Sequence, residues 1–436
     1  MRRPAEARAR ADCKADIVGG GAPGRQGSAS WAPSASRMDL DPTLRVTLIN
    51  KYYPPHVGGI ENHVRDLARG LAAREGFEVQ AIVANETRAL AVERLDGVGV
   101  VRLPRMFAYA STPVCPMLPW AMRRAATLNS NAATGAAAER SSRTARNLIH
   151  LHFPYPWSEV SWLVNRSSVP TVLTYHSDIV RQERLLSFYK PILRRILQRV
   201  DLIIASSPNM VEHSEFLRPL AHKCRVVPLG IEVDRLAPSP AVDARARQLR
   251  EAHSRNIVLF VGRLVYYKGV DVLVRAMAQV GADLVLVGTG PLEPQLLALG
   301  ADLGISDRLT FLRYLGDNDL AAWYRAADVL CLPSVARSEA FGLVQLEAHA
   351  AGTPVVSTML PTGVPFVNRH DETGLTVPPG DAEALAAALN SLLQNDQLRR
   401  RLGRQALERA RRDFSTSQMV ARTVEVYQEA TAGPRG

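Results

Sequence analysis

The chain has 436 residues, 47% of them hydrophobic, which is enough for two or three domains with large cores. No apolar run reaches about 18 residues, so no membrane-spanning helix is expected. A formal net charge of +11 calls for an anionic partner: nucleic acid, acidic lipid headgroups or a phosphorylated substrate.

Cys13, Cys115, Cys224 and Cys331 are scattered, with no Cys-x-x-Cys. They fit a reducing, cytoplasmic setting rather than a zinc site or a disulfide framework. Residues 1–37 are rich in Ala, Arg, Gly, Ser and Pro and have no apolar signal core. They are expected to form a disordered tail whose removal changes neither stability nor activity. Residues 44–50 read as a strand leading into Gly58-Gly59. A helix follows over about residues 60–73, with Ile60, Val64, Leu67, Ala68 and Leu71 at helical spacing. Strand, glycine loop and helix start form a phosphate-cradling layout, because glycine lets backbone amides approach an anion closely. A tight turn would look the same. A second strand over residues 78–83 starts an alternation of strands and helices, which implies a parallel, doubly wound sheet. Residues 104–147 lack firm periodicity and read as a mobile insertion or a divergent segment.

Residues 148–152 are the next strand, and its period of two puts His150 and His152 on one face. No third ligand is near in sequence, so they read as hydrogen-bonded histidines rather than a metal pair. Residues 171–175 form another strand, with His176 at its carboxyl end, where open α/β sheets bind ligands. Residues 181–200 interleave Leu185, Leu186, Ile192, Leu193, Ile196 and Leu197 with Arg184, Arg194, Arg195 and Arg199. Such a basic amphipathic helix lies on an anionic membrane, or packs on the sheet with its arginines in water. Pro191 is expected to kink or split it. Strands beginning at Asp201 and Cys224 precede a polar run over residues 237–256, and a second α/β pattern opens at residues 257–261.

Arg263 and Lys268 follow that strand between Gly262 and Gly269. A guanidinium fork and an ammonium at a strand end suit a diphosphate; two surface cations are the plainer reading. Asp317, Asn318 and Asp319 read as a helix cap rather than a metal site. Residues 338–358 read as loop, helix, turn and strand. Glu339 lies in the loop, Phe341-Gly342-Leu343 opens the helix, and Gly352-Thr353-Pro354 ends it. First-turn amides without partners make an anion site, most often for phosphate. A carboxylate beside such a site makes sense if it reaches past the phosphate to a hydroxyl-rich group such as a sugar. Glu347, farther along, suits a diol such as a ribose. A first-turn charge and a solvated helix face remain open readings of the two.

The spacing of Glu339 and Glu347, together with Phe341-Gly342-Leu343 and Gly352-Thr353-Pro354-Val355-Val356, resembles the signature of glycosyltransferase family 4. That family is retaining and has the GT-B fold, an α/β architecture of two Rossmann-like domains facing across a cleft. The Gly58-Gly59 loop, His176, Pro228-Leu229-Gly230-Ile231 and Arg263…Lys268 extend the resemblance over about residues 44–430. It implies an acceptor domain over residues 38–232, a donor domain over residues 233–415, and a helix within residues 416–436 that crosses back to the first. It also implies a nucleoside diphosphate sugar donor, with no cofactor and no metal. Arg263 and Lys268 would neutralise the diphosphate, aided by amides near Gly58, Gly59, Phe341, Gly342 and Leu343. Glu347 would take the ribose, while Glu339 and His176 would serve the transferred sugar as the catalytic pair. The Tyr-His-Ser-Asp and Gly-Gly-Ile-Glu-Asn-His variants look most like polysaccharide and lipopolysaccharide mannosyl- or rhamnosyltransferases. That likeness implies GDP-mannose, a saccharide or lipid-linked saccharide acceptor, peripheral contact with an anionic membrane surface, and no nucleic acid. The chain departs from the family at Arg146-Asn147, where an acidic residue usually precedes the strand. The alternatives are a sugar-nucleotide epimerase or phosphorylase on the same fold, or a noncatalytic binding module.

Overall fold

The structure, a computed structural model, describes residues 44–56, 58–109, 112–127, 146–165, 168–178, 183–236 and 239–432, without the side chains of residues 183–188. The expected tail over residues 1–37 and the segment 128–145 lie outside the described residues.

The first half of the chain supplies β1 (Leu44–Ile49), β2 (Phe77–Ala84), β3 (Ala91–Leu95) and β4 (Val98–Leu103). A short antiparallel ribbon follows, β5 (Phe107–Tyr109) with β6 (Thr112–Val114). Then come β7 (Arg146–Phe153), β8 (Thr171–Tyr175), β9 (Leu202–Ala205) and β10 (Cys224–Val226). Apart from the ribbon, these strands make one sheet in the order β10-β9-β8-β7-β1-β2-β4-β3, with only β3 antiparallel to its neighbour. Its strands are Val-, Ile- and Leu-rich because both faces are covered. One face carries the helix Gly59–Ala72, whose Val64, Leu67 and Leu71 meet Val46, Leu48 and Val79. The other face is filled by Phe153, Tyr175, Leu193, Ile196 and Leu197.

The second half supplies β11 (Ile257–Val261), β12 (Asp283–Val287), β13 (Leu309–Leu312), β14 (Val329–Leu332), β15 (Val355–Thr358) and β16 (Gly374–Val377). They form a wholly parallel sheet in the order β13-β12-β11-β14-β15-β16. In each sheet the order of the parallel strands reverses once, between β1 and β7 and between β11 and β14. Such switch points open crevices at the strand carboxyl ends.

The last helix, Thr416–Thr431, returns to the first sheet, where Met419, Val420, Val426 and Tyr427 join the core beside the helix Gly59–Ala72. The outgoing and returning chains touch: the Ile231 amide donates to the Phe414 carbonyl at 2.9 Å, and the Thr416 amide to the Ile231 carbonyl at 3.0 Å. Gly230 permits this crossing, since a Cβ there would lie 2.8 Å from the Ser415 carbonyl oxygen.

Two local expectations are corrected. The helix Glu183–Arg199 is not split at Pro191 but runs through it as one helix. Pro191 sits on its exposed face. The helix Asp317–Ala326 is capped by Gly316, without a side-chain cap. Asp317 and Asp319 are first-turn charges that pair with Arg235 at 3.5 Å and Arg245 at 3.2 Å.

Candidate active site

The second sheet's crevice is built by the loops after β11 and β14. The Val335 amide donates to the Tyr267 carbonyl at 2.8 Å and ties the two loops together. Lys268 Nζ thereby comes within 2.5 Å of Glu339 Oε2, with about a tenth of each side chain exposed (12% and 9%). Ser334 Oγ donates to the same carboxylate oxygen at 3.1 Å. Lys268 lies over Gly262, the glycine that opens the first loop. The cation and the carboxylate expected to serve different parts of one ligand are thus ion-paired with each other. Arg263 is exposed and has no ion pair among the described residues.

Gly342 turns the chain into the helix Leu343–Ala350 with a left-handed φ of 75°. A Cβ there would meet Leu332 and Gln345 at 2.6 Å, so only glycine fits. Phe341 itself is a core side chain, packed with Leu229, Leu346, Val367 and Phe414. What this segment offers a ligand is therefore backbone. One turn on, Glu347 accepts a hydrogen bond from Tyr324 Oη at 2.5 Å. Burial pushes the Glu347 carboxyl above its ordinary range, against the pull of the Tyr324 hydrogen bond and of Arg235.

Gly59 faces Leu343, 3.8 Å from where its Cβ would stand, so the two loops expected to supply amides do meet. The Glu61 carboxylate folds against Gly58. A cavity of about 60 Å³ is lined by Asn62, His63, Asp66 and Arg235 together with Leu343 and Glu347.

Across β7 and β8 runs a polar stripe. His150 and His152 share a face with Thr174 and His176, as alternation requires. His150 bonds Tyr427 Oη and Thr174 Oγ1, each at 2.7 Å. His152 Nδ1 lies 3.1 Å from His176 Nε2. His63, on the helix Gly59–Ala72, stands edge-on to His176 with ring centroids 5.0 Å apart. Burial holds these rings neutral: His63 is lowered to about 4 and His150 to about 3, and His152 and His176 lie well below the usual imidazole value.

His63 is the third imidazole that the sequence did not place beside His152 and His176; the donor nitrogens of the three lie within 4.8 Å of one another. By distance the trio could ligate a transition metal. Metal-bound histidines, however, pass their second N–H to an acceptor. Both nitrogens of His63 and Nε2 of His152 are buried without partners. Within the trio only His152 and His176 are hydrogen-bonded, to each other, and His63 has no acceptor for the second N–H that a metal ligand would carry.

Sequence reasoning also missed the bridge between the two crevices. Arg337 Nη2 donates to Asp178 Oδ2 and to the His213 carbonyl, each at 2.8 Å. Asp178 Oδ1 is held by Tyr175 Oη and Ser214 Oγ, each at 2.8 Å. Asp178 follows His176 by two residues and Arg337 precedes Glu339 by two. In sequence both look like ordinary loop charges.

The family model described as "Glycosyltransferase Family 4" matches residues 57–235, and that described as "Glycosyl transferases group 1" matches residues 242–409. The chain is 32% identical over 385 residues to O-antigen chain mannosyltransferase C of Escherichia coli, covering 88% of this chain and 98% of that one. The chain belongs to glycosyltransferase family 4. A second relative of this glycosyltransferase, D-rhamnosyltransferase WbpZ of Pseudomonas aeruginosa, is 38% identical over 62% of this chain and 70% of its own. Among solved structures, sucrose-phosphate synthase from Thermosynechococcus elongatus superposes with a TM-score of 0.71 at 26% identity, over 89% of this chain and 100% of that one. The glycosyltransferase therefore has the GT-B fold, as the two switch-point crevices require.

Proposed function

We propose that this glycosyltransferase moves a mannosyl or closely related hexosyl group from a nucleoside diphosphate sugar, GDP-mannose foremost, to a saccharide acceptor, with retention at the anomeric carbon. The observation that carries the reading is Lys268 on Glu339 over Gly262, at the mouth of the second sheet. Lys268 and Arg263 neutralise the diphosphate, where negative charge grows as the leaving group departs. Glu339 then turns to the sugar hydroxyls and Glu347 to the ribose. This cationic leaving-group site removes the need for a metal, so a chelator leaves turnover unchanged. The C1–O bond to phosphate breaks as the acceptor oxygen bonds C1 on the same face, and the acceptor's proton passes to the departing phosphate oxygen. Mannose and D-rhamnose, the sugars in the two relatives' names, differ only in the oxygen at C6.

The acceptor is proposed to be lipid-linked and met at an anionic cytoplasmic membrane surface. Leu193, Ile196 and Leu197 of the basic helix are core residues, while Ile192, Arg194 and Arg195 are exposed and remain for the membrane. Binding to anionic vesicles that persists unchanged in an Arg194→Gln, Arg195→Gln protein would remove this part of the reading. A thermal-shift panel of nucleoside diphosphate sugars tests the donor, followed by NMR of the product's anomeric proton. Stabilisation by GDP-mannose and an α-linked product are expected; a β-linked product overturns retention.

A further inference from the structure

The histidine pair His152 and His176 shares one hydrogen bond and therefore one proton. Burial keeps both rings neutral, so each carries a single N–H. Two arrangements satisfy the 3.1 Å contact between His152 Nδ1 and His176 Nε2. If His176 donated, His152 would carry its own proton on Nε2. That atom is sealed from solvent with no partner, so a buried N–H would be left without an acceptor. If His152 donates from Nδ1, the atom left unpartnered on Nε2 is a bare lone pair. Orphaned buried N–H groups are rarer than under-used acceptors. The second arrangement is therefore preferred. His176 Nε2 is then an acceptor, and its only proton sits on Nδ1, a nitrogen absent from the sealed, unpartnered set.

We propose that His152 is a positioning residue that fixes His176 as the Nδ1–H tautomer, making it a hydrogen-bond donor to the transferred sugar rather than a base. This deepens the proposed function, on which the sugar contact rests. The hydrogen bond on one imidazole nitrogen decides which proton the other presents. The strand pairing enforces the arrangement. The His176 amide donates to the Phe153 carbonyl at 3.2 Å, extending the ladder past β8 and holding His176 beside His152. The rings lie 18° from parallel with centroids 5.4 Å apart. His63 closes the remaining side. A donor at this position can fix a sugar hydroxyl but cannot take the acceptor's proton, which agrees with a leaving phosphate that does.

The test is long-range ¹⁵N–¹H correlation on the full chain carrying ¹⁵N-labelled histidine, with His176 assigned from the spectrum of His176→Gln. The expected wild-type signal is protonated Nδ1 and bare Nε2 at His176. Protonated Nε2 would overturn the proposal, whatever the enzyme's donor proves to be. Two variants extend the test. His152→Asn keeps an amide N–H where Nδ1 stood, and should preserve both the tautomer and most of the turnover. His152→Phe removes the donor; it should let the His176 proton move to Nε2 and lower kcat about tenfold or more, with nucleoside diphosphate affinity unchanged. Equal tautomers and equal kcat in the two variants would also overturn it. The wild-type spectrum decides the tautomer even if His152→Phe fails to fold, and a chain inactive on every donor leaves that spectrum readable.

Discussion

At the scale of single residues, the ion pair at the heart of the site makes opposing demands. Lys268 serves a diphosphate only by leaving Glu339, and Glu339 is then free for a sugar. Lys268→Ala should weaken nucleoside diphosphate binding about 10- to 100-fold by calorimetry, the worth of one charged hydrogen bond. Arg263→Ala should also weaken it, with no cost to stability, since Arg263 is exposed. Unchanged binding in both variants contradicts the clamp. The two carboxylates should separate. Glu347→Ala weakens binding of the bare nucleoside diphosphate, while Glu339→Ala lowers kcat and spares that binding. The reverse pattern would swap their roles. Glu339, Glu347 and Lys268 were legible in the sequence because each sits beside a glycine turn or a helix start that it cannot leave. His63, Asp178, Arg337 and Tyr324 were not, because their partners are remote. Arg337 and Asp178 are 159 positions apart, and no local pattern records such a contact.

At the scale of elements, hydrophobic periodicity located most of the strands whose ends carry the site, from β1 to β15. It passed over β3 and β4, of which the outer, β3, is largely exposed and so lacks a core-facing pattern. It marked residues 181–200 as amphipathic but could not say what the apolar face meets; packing against the first sheet decides that. The crossing helix Thr416–Thr431 is part of the first core and no appendage. Its Tyr427 hydroxyl bonds His150 at 2.7 Å, and both side chains are fully buried. Tyr427→Phe strands a buried imidazole nitrogen and should cost about 1–3 kcal/mol by urea unfolding. A loss within error of zero would mean that this helix contributes packing alone. Arg337→Ala should leave that unfolding free energy nearly unchanged yet raise KM, because it unties the two crevices rather than a core.

At the scale of the whole molecule, burial of neutral histidines ties stability to pH. Unfolded, each takes up a proton near 6.5; folded, His63 does so only near 4 and His150 and His349 only near 3. His152 and His176 are shifted the same way. Between these values the unfolded chain binds more protons, so stability falls as pH drops below about 6.5. Buried carboxyls oppose this. Glu159, raised to about 7, and Glu347 and Asp66, also raised, favour the folded state at low pH and lose that contribution as pH rises. The histidines outnumber them, and each net proton is worth about 1.4 kcal/mol per pH unit. The urea midpoint should therefore be lower at pH 5 than at pH 7.5; a higher midpoint at pH 5 contradicts the neutral-histidine account.

The account as a whole stands on a cleft whose two crevices act on one sugar nucleotide. The most direct test is release of nucleoside diphosphate, followed with and without an acceptor saccharide across a panel of donors that includes GDP-mannose. Release is predicted only when donor and acceptor are both present, and it should be lost in folded Lys268→Ala. Release that proceeds equally without any acceptor, or persists at the wild-type rate in Lys268→Ala, would contradict it.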